Sequence, residues 1–154
     1  MLRVVEANVD EFWLATTKKP TDDALASIAS KHGWRVFRGS TENVLSRFVA
    51  VATASKADYV VRLTGDNPFT HWIQVNDMVA QIQATSEYHW IGDNEPRRFP
   101  LGTVPEVVTA QSLVESSRQQ DTPRTRHFAH VTTLVRTSLH ALQYRSSLET
   151  MGDP

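Results

Sequence analysis

The chain contains no cysteine. Disulfide staples and thiolate metal sites are therefore excluded, and a reducing compartment is allowed without being required. No apolar run is long enough to span a bilayer. The opening residues, Met1-Leu2-Arg3-Val4-Val5-Glu6-Ala7-Asn8, lack the layout of a signal peptide. A cytoplasmic, membrane-free protein is the expectation. Neither sign of charge dominates: 16 Lys and Arg face 17 Asp and Glu, for a net charge of −1. Bulk electrostatics thus gives no reason to expect a nucleic-acid or membrane partner. The glycines do not gather into a phosphate-cradling loop, and no Ser-His-Asp set or metalloprotease motif is present. Internal repeats and low-complexity tracts are also absent.

The chain has 154 residues, 40% of them hydrophobic, enough for one domain with a real core. That domain is expected over residues 1–148, with a frayed tail at 149–154. Residues 2–8 read as a short helix, marginal on its own. Residues 12–17 form an apolar run of strand length, closed by Lys18-Lys19-Pro20. Thr21 is set to cap a helix with Ala24, Leu25, Ile28 and Ala29 on one face, stopped by Gly33. A second strand covers residues 34–38. Ser40 or Thr41 then caps a helix presenting Val44, Leu45, Phe48, Val49 and Ala52. A third strand covers residues 59–63, and Thr70 caps a helix carrying Trp72, Val75, Val79 and Ile82.

Strand and helix thus alternate three times, which predicts an α/β fold with a doubly wound, mostly parallel sheet and right-handed crossovers. The second half is less regular. Residues 88–91 read as a strand and residues 92–101 as a loop holding Arg97 and Arg98. A strand follows over 102–108, where Pro105 demands an edge or a bulge. Thr109 caps a helix to about Gln119, Thr122-Pro123 starts another, and residues 140–145 suit a final edge strand.

The stretch that concentrates chemistry is Ala57-Asp58-Tyr59-Val60-Val61-Arg62-Leu63-Thr64-Gly65-Asp66-Asn67-Pro68-Phe69. It is a buried strand running into a carboxylate turn. Ligands of open α/β sheets lie beyond the carboxyl ends of the strands. Asp66 at such an end can hold Mg²⁺, with a substrate phosphate completing the shell. Gly65 would let backbone approach a ligand. The plainer reading of Asp66 is a helix cap or an Asx turn. Arg38-Gly39-Ser40 is another strand-to-helix turn, whose amides suit an anion or a base carbonyl, or simply start a helix. Arg47 lies two turns on. Arg97 and Arg98 can clamp a phosphate or an acidic sugar, or merely line a polar loop. His127 and His130 share a helix face, but no third ligand is near in sequence, so zinc is not expected.

Taken together, these residues resemble the cytidylyltransferase family of spore-coat polysaccharide synthesis proteins, relatives of the CMP-Kdo and CMP-sialic acid synthetases. The resemblance is carried by residues 9–17, 21–23, 36–48 and 57–69 and by His130-Val131-Thr132, in order across nearly the whole chain. It implies a Rossmann-like fold of the nucleotide-diphospho-sugar transferase type. It also implies transfer of CMP from CTP to an acidic or amino sugar. Nucleotide contacts would then fall at Gly39, Ser40, Arg47 and Gly65, an Mg²⁺ ligand at Asp66, and substrate contacts at Arg97, Arg98, Glu106 and His130.

Three departures accompany it. The family opens with a strand and a phosphate-gripping loop, whereas Met1 falls inside the helix that follows them, so an N-terminally truncated domain is expected. Val104 stands where the family has an Asp, leaving Glu106 of that run. Phe128-Ala129 replace the family's Arg-Glu. Triphosphate chemistry depends on cations and metal, so these departures predict weak or absent transfer. The runner-up reading is a non-catalytic nucleotide- or partner-binding domain. A third is a fragment completed by another chain. The missing strand and the apolar area of Trp13, Trp34, Trp72 and Trp90 lead to an expected homodimer.

Overall fold

The computed structural model describes residues 4–93, 98–119 and 141–146. The described residues divide into two compact units, one of residues 9–58 and 110–119, the other of residues 4–8, 59–93, 98–109 and 141–146.

In the first unit β1 (Trp13–Thr17) and β2 (Arg35–Gly39) pair in parallel, from Trp13 opposite Arg35 to Thr17 opposite Gly39. Two parallel strands need a crossover, and α1 (Asp23–Lys31) supplies it. A single 3-10 turn, Pro20–Asp22, leads into α1. The N-cap is Asp22, not Thr21, and its carboxylate turns back to β1 instead of capping. Of the expected apolar face only Ala29 is buried, while Leu25 and Ile28 are exposed.

Helix α2 (Val44–Ser55) starts at Asn43, whose side chain accepts the Ser46 N–H at 2.9 Å. Ser40 and Thr41 are not the cap. Ser40 Oγ accepts the Asn43 N–H at 3.0 Å and so closes the turn before the helix. Helix α4 (Ala110–Gln119) packs on α2, burying Leu113 between the small Ser112 and Ser116.

The second unit holds a four-stranded sheet in the order β3-β5-β4-β6, with β3 Tyr59–Arg62, β4 Trp90–Gly92, β5 Glu106–Thr109 and β6 Ala141–Gln143. β5 runs against both neighbours, whereas β4 and β6 are parallel. Thus β3, β4 and β6 share one direction, and the irregular second half of the sequence contributes the one reversed strand of this sheet. Pro105 falls just before β5, not inside it, so a central strand loses no ladder bond. β6 is an edge strand, as its position in the order requires.

Helix α3 (Trp72–Gln83) buries Val75, Met78 and Ile82 at helical spacing. Its cap is His71, whose ring accepts the Ile73 N–H, while Thr70 is buried beside it. Met78, Ile82, Ile91, Val107 and Tyr144 form the core, flanked by Tyr59, Val61, Val79, Phe99 and Val104. Trp90 is fully buried rather than offered to a partner. Polar bonds from α3 tie in distant segments. Asn76 Oδ1 accepts the Asn8 N–H at 2.8 Å, Asp77 accepts the Tyr144 hydroxyl at 2.9 Å, and Gln81 donates to the Arg145 carbonyl at 2.7 Å. Where a helix over 2–8 was expected, the described residues form a turn closed by Ala7 N–H on Val4 O. So short a segment cannot repay helix nucleation. No helix among the described residues is long and apolar enough to cross a membrane. The expected helix at Thr122-Pro123 and the tail at 149–154 lie outside the described residues.

Both α1 and α2 end in the same double hydrogen-bond closure. In α1, Trp34 N–H reaches Ala29 O and Gly33 N–H reaches Ser30 O; in α2, Ala57 N–H reaches Ala52 O and Lys56 N–H reaches Thr53 O. The closure needs a left-handed residue. Gly33 meets this at no steric cost, but Lys56 adopts φ 54° with a Cβ in place. Lys56→Gly should therefore stabilise the protein by about 1 kcal/mol, read as a higher denaturant midpoint at unchanged slope.

Candidate functional site

The parallel register brings the carboxyl ends of β1 and β2 side by side, and each strand feeds a loop at that edge. The loop after β2 holds Gly39 and Ser40. A Cβ on residue 39 would lie 2.8 Å from both Arg47 Cγ and Phe37 Cε1. Glycine here lets the Arg47 stem lie against the strand end. Arg47 Nε is buried without a hydrogen-bond partner, and the guanidinium makes no ion pair among the described residues. Buried donors of this kind are rare and need an acceptor. Gly39 and Arg47 are thus in contact, and Ser40 follows Gly39 in the same turn.

The loop after β1 is fixed by contacts that sequence reading missed. Asp22 Oδ2 accepts the Thr16 hydroxyl at 2.7 Å, the Thr17 hydroxyl at 2.5 Å and the Thr17 N–H at 3.0 Å. These bonds hold its carboxyl far below the usual carboxylate range, the Thr17 and Thr16 hydroxyls contributing most. From β2, Arg38 donates Nε–H to Thr17 O at 2.8 Å and Nη2–H to Lys19 O at 2.7 Å, and pairs with Asp23 at 2.6 Å. The only sequence signal was the Thr-Thr…Asp-Asp spacing around Pro20.

In the second unit the turn after β3 carries Gly65 and Asp66. Asn67 N–H closes it on Thr64 O at 3.1 Å. The Thr64 hydroxyl meets Asp66 Oδ1, and Asn67 donates to the Val104 carbonyl at 2.9 Å. Asp66 is exposed, and a Cβ on Gly65 would meet nothing within 4 Å, so the turn is open on that side. Its other side is closed. Gly102, at φ 81°, packs so tightly that a Cβ would lie 2.7 Å from the Asp66 carbonyl. The Phe69 N–H also bonds Gly102 O at 3.1 Å. Among the described residues no three His, Cys, Asp or Glu side chains gather. Asp66 gives this turn one exposed carboxylate, the kind of group that holds Mg²⁺ together with water and substrate phosphate.

Glu106 is placed differently from a free substrate contact. It faces Arg62 across β3 and β5 in an ion pair of 2.5 Å, with side chains 16% and 12% exposed. Val104 packs against the core. Arg98 is exposed, its backbone N–H held by Asp93 Oδ1 at 3.0 Å while Asp93 Oδ2 takes the Phe99 N–H at 3.2 Å. Asp93 thus fixes the backbone at Arg98 and Phe99, a role the sequence did not signal. Arg97, His127 and His130 lie outside the described residues.

Comparison with known proteins now bears on this geometry. The cytidylyltransferase family pattern matches residues 2–147. The spore coat polysaccharide biosynthesis protein SpsF of Bacillus subtilis is 38% identical over 148 residues, 94% of this chain and 59% of that protein. The protein MJ1063 of Methanocaldococcus jannaschii is 32% identical over 105 residues, 68% of this chain and 42% of that one. Among solved structures, a cytidylyltransferase from Leptospira borgpetersenii superposes with a TM-score of 0.84 at 25% identity, covering 95% of this chain and 63% of that one. A CMP:2-keto-3-deoxy-manno-octonic acid synthetase complexed with CTP superposes at 0.64 and 12% identity, covering 94% and 77%. The fold is thus the Rossmann-like α/β fold of nucleotidyltransferases. The chain spans about three-fifths of the length of SpsF.

Two substitutions test the loop geometry. Gly102→Ala should cost about 2 kcal/mol or more, since it adds left-handed strain to a clash with backbone; chemical denaturation reads it. Asp22→Asn should lower the melting temperature at pH 7. The native carboxyl titrates below its unfolded value, so its contribution is full above about pH 4 and is lost as pH falls toward the native value. The penalty of Asp22→Asn should therefore shrink on acidification from about pH 4 downward, followed by melting curves across that range.

Proposed function

The chain belongs to the cytidylyltransferase family, and we propose that it binds a cytidine nucleotide for transfer of CMP from CTP to an acidic or amino sugar in surface polysaccharide synthesis. One observation carries this reading: Arg47, whose buried Nε has no hydrogen-bond partner among the described residues, lies beside Gly39 at the carboxyl edge of two parallel strands. Its planar fork of donors matches paired acceptors such as phosphate oxygens or the edge of a base. Gly39 leaves the room, and the Ser40 hydroxyl stands at the same turn. The relatives point the same way. SpsF is named for spore coat polysaccharide, and the synthetase, named for an acidic sugar, was solved complexed with CTP.

In such a transfer a sugar oxygen attacks the α-phosphorus of CTP and pyrophosphate leaves. Mg²⁺, when bound, would neutralise the phosphates. Asp66 is the residue that would hold it, on a turn kept in shape by Thr64 and Gly102. Gly65 leaves that turn open to the ligand. Arg98, with Arg97, supplies positive charge for an acidic sugar, its backbone set by Asp93. His130 completes the substrate set that the family resemblance implies, while Glu106 of that set is held by Arg62.

A second reading, nucleotide binding without transfer, is favoured by Val104. It occupies the family's carboxylate position yet packs into the core, and Glu106 is engaged by Arg62. Asp66 then stands without a second carboxylate from that run.

Thermal-shift titration with CTP, CMP and UTP, each with and without Mg²⁺, tests both. A ligand at one hundred times its Kd stabilises by about 2.7 kcal/mol, so CTP should raise the melting temperature measurably. Arg47→Ala should weaken CTP and CMP about tenfold or more, the loss expected of a charged hydrogen bond. Asp66→Ala should abolish only the Mg²⁺-dependent part. Pyrophosphate release on adding an acidic sugar would establish transfer, binding without release would establish the second reading, and no shift with any nucleotide would sink both.

A further inference from the structure

Among the described residues, the two most exposed large apolar side chains are Leu101 at 73% and Phe69 at 66%. They lie far apart in sequence, yet the fold joins them. The Phe69 N–H bonds Gly102 O at 3.1 Å, which sets Phe69 beside the turn that carries Leu101. A single exposed apolar side chain needs no explanation, but two brought together on a braced turn do. The bracing is heavy. The Thr103 hydroxyl closes the turn on Pro100 O at 2.7 Å, Gly102 is left-handed within it, and Asn67 holds the Val104 carbonyl at 2.9 Å. Phe99, in the same loop, shows the alternative: its ring stacks on core Tyr144 with centroids 5.2 Å apart. The loop thus turns one apolar side chain inward and holds another out.

Asp66 gives this pair its context. Only Asn67 and Pro68 separate it from Phe69, and a Cβ on Gly102 would lie 2.7 Å from its carbonyl. In the transfer described above, the acceptor's oxygen attacks a phosphorus whose oxygens an Asp66-bound cation neutralises. The acceptor must therefore rest against the surface beside Asp66. Phe69 and Leu101 are part of that surface, and exposed Arg98 belongs to the same loop. An aromatic face carries negative charge density, and a sugar ring offers a face of weakly positive C–H groups. The two stack while the hydroxyls stay in water, and the guanidinium of Arg98 suits an acidic substituent.

We propose that Phe69 and Leu101 form the platform on which the ring of the acceptor sugar lies. This deepens the transfer reading and rests on it for the identity of the ligand.

The test is saturation-transfer difference NMR of the full chain with 2-keto-3-deoxy-manno-octonic acid, sialic acid and glucosamine, each with Mg²⁺ and CMP, and with cytidine alone. At least one sugar should receive saturation from the wild type. Phe69→Ala and Leu101→Ser should each weaken that sugar about tenfold, the loss expected of a stacked ring or a covered apolar contact, and should weaken cytidine far less. Phe69→Tyr keeps the ring and should restore the sugar. Both side chains are exposed, so these variants test binding without threatening the fold. Sugar binding that ignores both variants, or a wild type that binds CMP but none of the sugars, would overturn the platform and leave the nucleotide reading standing. A loss of cytidine as large as that of the sugar would also overturn it, since a base can stack on the same ring. So would loss of self-association, read by analytical ultracentrifugation, with sugar binding intact. Phe69-dependent sugar binding by a chain that binds no nucleotide would uphold the platform and overturn the transfer reading instead.

Discussion

The parallel pairing of β1 and β2, with Thr17 opposite Gly39, is the constraint from which the chemistry of the first unit follows. Parallel strands leave both carboxyl ends on one edge, and only there can two strand-to-helix loops meet a common ligand. The loop held by Asp22 comes to that edge from one strand, and Gly39, Ser40 and Arg47 from the other. Arg38 does not face a ligand; it spans from β2 to the carbonyls of the neighbouring loop. An antiparallel pairing, or a slip of one residue, would scatter these groups to opposite ends or faces.

The second unit solves a different problem. Its carboxylate turn must stay open to solvent on one side while being held on the other. Gly102 achieves the holding by lying closer to the Asp66 carbonyl than any side chain would permit. Below the turn, Arg62 and Glu106 form an ion pair largely withdrawn from water. Each of these charges would be costly to leave alone at that depth, which binds the register of β3 to that of β5. The same depth explains Val104. Once residue 104 packs against the core, an Asp there would need partners of its own, and valine removes the need.

The strands over 13–17, 35–39 and 59–62 were legible because β-branched and aromatic runs bounded by Gly, Pro or Lys admit few other readings. Helices α2 and α3 were legible from apolar spacing. Caps were not. Thr21, Ser40, Thr41 and Thr70 are all good N-cap residues in isolation, yet Asp22, Asn43 and His71 took the positions. Several adjacent polar side chains can each satisfy the first free amides, and the choice among them depends on where the preceding loop is tethered. The stripe on α1 misled for a related reason. Helical spacing shows which residues share a face, not whether anything covers it, and Leu25 and Ile28 remain exposed.

By itself the sequence determined the order of strands and helices, the glycine and carboxylate turns at Gly39 and Asp66, and the likeness to the cytidylyltransferases. These are local matters, decided by dihedral preference, hydrophobic period and short motifs within a few residues. Only the tertiary structure decided that β5 runs against its neighbours, that Glu106 is paired with Arg62, that Asp22 serves β1 rather than α1, and that Arg38 braces a loop 19 or more residues away. All but one of those are contacts between residues far apart in the chain, and Asp22, only five or six residues from its threonines, was drawn from a helix cap to the strand by the fold of the loop. No local pattern specifies them, because the partner that satisfies a buried charge or donor is chosen by packing and not by spacing.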